Sequence, residues 1–326
     1  MIAALVIAQA VTPNAIDKFG NALASGIALG AIYAILALGF VIIFKATQVV
    51  NFAHGGIAAF GAYMVVYFAT VLNVPGRWLS FLPFGVQWTL SAILAILVTA
   101  LLGVIIERIV IRPMIGKALF AVAMITLGVD LIIRTITVDY MGNQSRGLGD
   151  PWGAGVFVFG GIRIAHTQVV TVLVAMIAVG LLAWFFRTRT GTAMRATAFD
   201  QEAAMAQGIS VGKVFAIAWG IGAALAAIGG IFSSVFPRGA AGVTPFTALI
   251  AFRAFPAVII GGLDSISGAI VGGMLVGLAE VFAASYLGSV SWLGTGFAGI
   301  VAWLLMMAVL LIKPYGIFGT EEVRRV

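Results

Sequence analysis

The chain has 326 residues, 62% of them apolar and 9% charged, with a mean hydropathy of +1.16, whereas water-soluble domains run at roughly half apolar and about a quarter charged. That excludes a soluble globular protein, and the net charge of +7 does not argue for nucleic acid, because the lysines and arginines fall in the short connections between apolar runs. The absence of cysteine excludes disulfides and thiolate metal sites, and the two histidines, His54 and His166, are too few and too separated for zinc.

The first fifteen residues, MIAALVIAQAVTPNA, lack the basic start of a signal peptide and read as an uncleaved lead-in. Apolar runs then predict spans near 20–44, 52–73, 86–107, 118–140, 166–186, 212–236, 246–262, 266–287 and 292–312. The expected fold is all-α: a polytopic bundle of about eight or nine membrane segments forming one transmembrane domain over 1–326. The seventh run is short and carries Arg253 and Pro256, so it either spans or re-enters. If nine segments cross, Lys45, Arg108, Arg112, Lys117, Arg187, Arg189, Arg195, Lys213, Lys313, Arg324 and Arg325 share one side. Lys18, Arg77, Arg146, Arg163 and Arg238 fall on the other, which orients the chain N-out and C-in in a plasma membrane.

In chain order, the first feature that carries chemistry is NFAHGGIAAFGAY at 51–63. A helix that starts inside a bilayer must find partners for its first N–H groups. Asn51 is a suitable N-cap, with His54 at the third helical position. The positive helix end either receives a solute carboxylate or carbonyl, as broken helices do in transporters, or simply terminates at the surface with His54 in headgroup water. Farther on, Asp130 and Arg134 are spaced to neutralise each other within one helix. The connection 141–165 is the one sizeable outer loop, glycine-rich and turned at Asp150-Pro151.

Between two spans on the basic side lies TAMRATAFDQEAAMAQGIS, 192–210, which reads as an alanine-rich helix stopped by Gly208 with Ile209 packed behind it. Such an element either docks into a partner's groove or lies amphipathically in the interface. A second broken segment follows in AFRAFPAVIIGGLDSISGAIVGG, 251–273, interrupted by Pro256 and by Gly261 and Gly262. Interrupted segments in both halves of a chain point to a central pathway, for which Asn51, His54, Arg253, Gly261, Gly262 and Glu280 are the candidates. Glu280 has no partner nearby in sequence; Arg253 either pairs with it across helices or meets a solute carboxylate. Gly26 and Gly30, Gly55 and Ala59, Gly268 and Gly272, and Gly273 and Gly277 repeat the small-xxx-small spacing that allows close helix approach. No G-x-x-x-x-G-K-[ST] occurs, so the chain binds no ATP through a P-loop, and no clustered nucleophile and base suggest an enzyme.

Together the stretches ALGFVIIFKATQVVNFAHGGIAAFGAY, IERIVIRPM, ITLG, RATAFDQEAAMAQGI, AFPAVIIGGLDSISGAIVGG, GLAE and PYGIFG resemble the permease family of ABC importers for branched-chain amino acids, whose relatives handle urea and short amides. The resemblance implies a type II importer-like membrane subunit paired with a second homologous permease, as heterodimer or homodimer. It also implies two ATP-binding subunits, which would hold ATP and magnesium while this chain carries no cofactor, and an extracytoplasmic solute-binding protein. The implied coupling helix spans about 192–208, with Arg195, Asp200, Glu202, Ala203, Ala204 and Gly208 carrying its motif. The implied solutes are Leu, Ile and Val, with urea or a short amide as the alternative; an ion-coupled secondary transporter or a passive channel is the rival of another class. The chain departs from the family's usual pattern at Gly56 and Arg253, both near the expected path.

Overall fold

The computed structural model describes residues 14–320 except 115–116, 143, 239–241, 289, 291–292 and 295. The expected lead-in and the two arginines at 324 and 325 lie outside the described residues. In hydrocarbon every backbone polar group must be satisfied within the segment, so each apolar run closes into a helix. In chain order these are α1 (Ala15–Thr47), α2 (His54–Val66), α3 (Phe84–Ile106), α4 (Leu119–Met141), α5 (His166–Phe185), α6 (Arg189–Phe199), α7 (Gln201–Ala206), α8 (Val211–Ser233), α9 (Ile250–Gly261), α10 (Ile266–Leu287) and α11 (Phe297–Ile312). Wider turns extend α2 to Val71 and α3 to Ile111, and a 3-10 turn, Pro245–Leu249, leads into α9.

Seven of these segments are long and apolar enough to cross a membrane, and the runs 245–261 and 297–312 form shorter apolar helices, so all nine expected segments appear as helices. The outer connection also holds structure that its glycine content concealed: Val156–Phe159 (β1) and Ile162–Ala165 (β2) pair as an antiparallel hairpin. Asn21 of α1 ties that hairpin down, accepting from Arg163 N–H at 2.7 Å and donating to Gly161 O at 3.2 Å.

Burial sorts the helices. α1 is covered along most of its length and α8 over much of its own, whereas α3, α4, α5 and α11 leave broad apolar surfaces exposed, as helices facing lipid do. The contact of α1 with α10 is a backbone-to-backbone seam. A Cβ placed on Gly277 would lie 2.2 Å from Gly30 N, and one on Gly273 would lie 2.4 Å from Ala34 N. On its other side α10 meets α9 equally closely: a Cβ on Gly272 would lie 2.1 Å from Ala257 O. Without a hydrophobic drive between helices in lipid, this close van der Waals approach is what holds the bundle together. The glycine pairs expected from sequence therefore face each other, Gly26 and Gly30 against the turns carrying Gly273 and Gly277.

The loop contacts separate two faces. On one, Lys45 Nζ donates to Asp264 O at 3.0 Å, Arg112 donates to Gly212 O at 2.8 Å, and Arg195, Tyr315 and Thr320 gather around the same groove. On the other, Trp88 Nε1 donates to Leu148 O and Arg146 bridges Val243. Arg238 stands in the connection that follows α8 on this hairpin face, and its side chain reaches inward to Tyr33 and Glu280.

Candidate translocation path and coupling element

The two broken segments meet. After α1 ends at Thr47 the chain turns back, and α2 starts with its first side chain, His54, against Gly39, about 12 Å along α1 from its end at 1.5 Å per residue. From the hairpin face, Val243 to Leu249 carries the chain inward until Ala248 O stands where a Cβ on Gly55 would be 2.4 Å away. α9 then continues to Gly262, whose φ of +104 ends it against the C-terminal segment. Segment 245–261 therefore joins the two faces as an inward half and a helical half, which resolves the choice between spanning and re-entrant.

Side chains and turns of the protein hold the start of α2. Asn51 Oδ1 accepts from Ala53 N–H at 3.0 Å, its backbone O accepts from His54 N–H at 3.3 Å, and Thr126 Oγ1 accepts from Phe52 N–H at 3.0 Å. Asp130 of α4 accepts from Gly56 N–H at 2.7 Å while its other carboxylate oxygen lies 2.7 Å from Arg134 Nε. A carboxylate at the positive end of a helix is favoured by the unpaired N–H groups there, and the adjacent guanidinium completes its neutralisation. Gly56, where the resemblance expected a larger residue, leaves the space: a Cβ there would be 2.7 Å from that carboxylate.

Two expectations at this position are corrected. His54 is the first helical residue rather than the third, because the Asn51 turn ends before the helix begins. Nor does His54 sit in headgroup water: it is fully buried, its ring lies 4.1 Å from that of Phe40 at a tilt of 37°, and neither ring nitrogen has a hydrogen-bond partner in the protein. Asn51 is equally buried, with its Nδ2 unpaired.

A second charged cluster lies across the bundle. Glu280 of α10 accepts from Tyr33 OH at 2.5 Å, lies 3.3 Å from Arg238 and 3.8 Å from Arg253, and Arg238 also donates to Tyr33 OH at 3.0 Å. Two guanidiniums thus share one carboxylate, leaving the cluster one positive charge in excess. A lone charge at membrane depth costs about 2.5–3.5 kcal/mol, which this sharing offsets. Arg253 is more than half exposed, beside the exposed Phe246, Leu249 and Phe252. Gly261 and Gly262 lie at the far end of α9 from Arg253, packed on Gly268 and on residues 318–319. Sequence reasoning offered Arg253 as one of two alternatives for Glu280 but missed Tyr33, hidden in a uniformly apolar helix, and Arg238, hidden in a Phe-Pro-Arg-Gly turn. It also missed Glu107, fully buried and held by Arg112 through two hydrogen bonds of 2.9 and 3.0 Å, whose five-residue spacing was visible.

On the basic face, the expected helix over 192–208 is two helices. Asp200, with φ −156 and ψ 112, breaks α6 from α7 and caps α7 by accepting from Ala203 N–H at 2.9 Å. Gly208, at φ +80, ends it as anticipated: its N–H bonds Met205 O and Ile209 N–H bonds Ala204 O, which satisfies the last carbonyls. α6 is anchored by Gly191, Met194 and Thr197 on one face, and Ala204 anchors α7. Arg195, Phe199, Glu202, Ala203 and Gly208 are exposed, with Phe199 93% accessible. The arrangement is an anchored element with exposed aromatic and charged side chains, of which Arg195 and Phe199 border the groove that also holds Lys45 and Asp264.

Spanning helices, two broken segments that meet inside the bundle, and charges paired at depth define a multi-pass helical membrane protein of the permease type. The family of branched-chain amino acid transport system permease components matches residues 22–310, and the chain belongs to that family. It is 30% identical to the high-affinity branched-chain amino acid transport system permease protein BraD of Pseudomonas aeruginosa, covering 93% of this chain and 97% of that one. The corresponding LivH protein of Escherichia coli is 30% identical with 93% and 96% covered. A probable LivH of Methanocaldococcus jannaschii is 32% identical with 88% of each chain covered. PsaBC from Streptococcus pneumoniae, solved in complex with Fab, aligns over 97% of each chain at 15% identity and a TM-score of 0.43.

Proposed function

We propose that this chain is the membrane subunit of an ATP-driven importer that passes branched-chain amino acids, delivered by a solute-binding protein, across the plasma membrane by alternating access. Family membership over 22–310 and the printed names of the relatives support the solute class. The observation that carries the reading within this chain is the cluster at Glu280. Its excess positive charge favours a solute bearing a carboxylate over a neutral urea or amide, and Arg253, exposed beside apolar surface, is the group that would meet it. Asn51 and His54 border the same path from the start of α2, and the packed Gly261 and Gly262 hold the end of α9.

In this reading α6 and α7 form the coupling element. Arg195, Phe199, Asp200, Glu202, Ala203 and Gly208 face one of two ATPase subunits, which supply ATP and magnesium, and a second permease, homologous or identical, completes the path. The basic face is cytoplasmic and the hairpin face receives the solute-binding protein, with the N-terminus outside and the C-terminus inside. The test is reconstitution of the chain with its co-encoded ATPase, permease and binding proteins in proteoliposomes. Leucine uptake that requires ATP and competes with isoleucine and valine is the expected result. Uptake that runs on an ion gradient without ATPase subunits would refute the reading.

A further inference from the structure

On the basic face a groove of about 710 Å3 opens between the last turns of α1 and α11, the end of α9 and α6. One part of its lining is apolar: Phe44, Ile259, Leu263 and Leu310. Phe44 lies three residues and Leu310 two before their helices end, which at 1.5 Å per residue sets these side chains only about 3–5 Å inside the helix ends. The other part is polar, with Lys45, Arg195, Tyr315 and Thr320. The groove therefore crosses the level at which hydrocarbon gives way to water.

Two independent observations say what fills it. The first is charge. Lys45 Nζ donates to the backbone Asp264 O at 3.0 Å, and Arg195 donates to Thr192 Oγ1 on its own helix at 3.3 Å. Among the described residues neither cation has an acidic side chain within 4 Å. The carboxylate in the groove, that of Asp264, is engaged by Thr320, whose N–H and hydroxyl both donate to it. Two cations thus line the groove against one carboxylate that is already taken, which calls for an anionic group. The second observation is continuity with lipid. Leu311 and Ile312, next to Leu310 in the last turn of α11, are 87% and 81% accessible. Apolar side chains left this bare on a membrane helix are covered by acyl chains, so hydrocarbon reaches the turn that walls the groove. A free phosphate would leave Phe44 and Leu310 uncovered, whereas a phospholipid covers them and supplies the anion.

We infer that this groove binds one anionic phospholipid, its phosphate held by Lys45 and Arg195, its acyl chains against Phe44 and Leu310, and Tyr315 at headgroup level. Seated there, the lipid joins α6 to the ends of α1 and α11 and so ties the exposed element of α6 and α7 to the bundle. The site follows from the groove and its charge; only its placement in the cytoplasmic leaflet rests on the permease reading.

The test uses the full chain in detergent micelles, titrated with dioleoylphosphatidylglycerol or the zwitterionic dioleoylphosphatidylcholine and followed by native mass spectrometry. Each basic residue beside an anionic headgroup is worth about fivefold in affinity, so the two cations are expected to favour phosphatidylglycerol about 25-fold. Lys45→Gln is expected to lower that preference about fivefold and Lys45→Arg to retain it. Arg195→Gln, which alters an exposed side chain, gives the same fivefold loss and decides alone where Lys45→Gln does not fold. Lys213→Gln, which removes an exposed cation in the first turn of α8 outside the groove, is expected to change nothing. Equal binding of the two lipids would overturn the inference. So would a Lys213→Gln variant as weakened as Lys45→Gln, which would mean diffuse attraction to a basic face rather than a site. Displacement of phosphatidylglycerol by an equal concentration of glycerol 3-phosphate would make it a site for soluble anions, and retention only after removal of residues 321–326 would give the groove to the chain's own end; either result overturns the lipid. Absence of ATP-driven uptake in the reconstituted complex, with lipid retention intact, would refute the permease reading and leave the lipid site standing.

Discussion

Replacing Asp130 by Ala removes two interactions at once, midway along α4. The Gly56 N–H at the start of α2 loses its 2.7 Å acceptor, and Arg134 loses its 2.7 Å counter-charge. Loss of a helix-capping acceptor costs about 1 kcal/mol, and an uncompensated charge at membrane depth costs about 2.5–3.5 kcal/mol on the insertion scale. The sum is about 3.5–4.5 kcal/mol, toward the lower end because the Arg134 side chain is a quarter exposed. Asp130→Asn separates the two terms: it keeps an oxygen for Gly56 but leaves Arg134 unpaired, so it is expected to cost about 2.5–3.5 kcal/mol. The pair Asp130→Ala with Arg134→Met removes the charge as well and is expected to recover most of the loss, leaving about 1 kcal/mol for the N–H. Equilibrium unfolding of the purified protein in mixed micelles, read by circular dichroism, measures all four corners of the cycle. If Asp130→Ala unfolds within about 0.5 kcal/mol of the wild type, or the double variant is no more stable than the single ones, Asp130 does not secure the start of α2.

Gly277→Val puts side-chain atoms where Gly30 N stands 2.2 Å from the added Cβ, so α1 and α10 must separate; a loss of about 3 kcal/mol, the upper end for overpacking, or failure to accumulate in the membrane is expected. Normal expression and melting would mean the seam yields more easily than its geometry says. Asp200→Ala combined with Gly208→Val removes the cap of α7 at about 1 kcal/mol and strains the φ of +80 at about 1–2 kcal/mol; because both sit on the exposed element, the bundle should melt unchanged while ATP-driven uptake collapses. Uptake at the wild-type rate in the assembled complex would remove the coupling role. His54→Ala opens a cavity beside Phe40 and is expected to lower both stability, by about 2–4 kcal/mol, and uptake. His54→Phe refills it, so full recovery of uptake would show that His54 acts by packing alone, and recovery of stability without uptake would give its ring nitrogens a part in transport.

Much of this architecture was legible because lipid makes the code simple. Apolar length gave the segments 118–140, 166–186, 212–236 and 266–287 to within a few residues of α4, α5, α8 and α10. The Gly208 stop was readable because only glycine adopts φ +80 without strain. The Asp200 break was not, since helix propensity alone carries the alanine-rich run across it, and the capping choice between one helix and two is worth only about 1 kcal/mol. The hairpin at 156–165 escaped for a related reason: glycine-rich stretches signal turns, and the strands between them are four residues each.

What the sequence determined by itself was the solvent of this protein, its helical nature, the spacing of its close helix contacts and the presence of two interrupted segments. Each follows from local chemistry, because a backbone in hydrocarbon has one way to satisfy itself within a segment. Only the tertiary structure decided that the interruptions meet, that Asp130 accepts from Gly56 at the start of α2, that His54 is buried, and that Glu280 divides its charge between Arg238 and Arg253. Those partners are 42 and 27 residues from Glu280 along the chain, and 74 residues separate Asp130 from Gly56. Charges and helix ends inside a membrane must be matched, but which distant group matches them depends on how the helices cross.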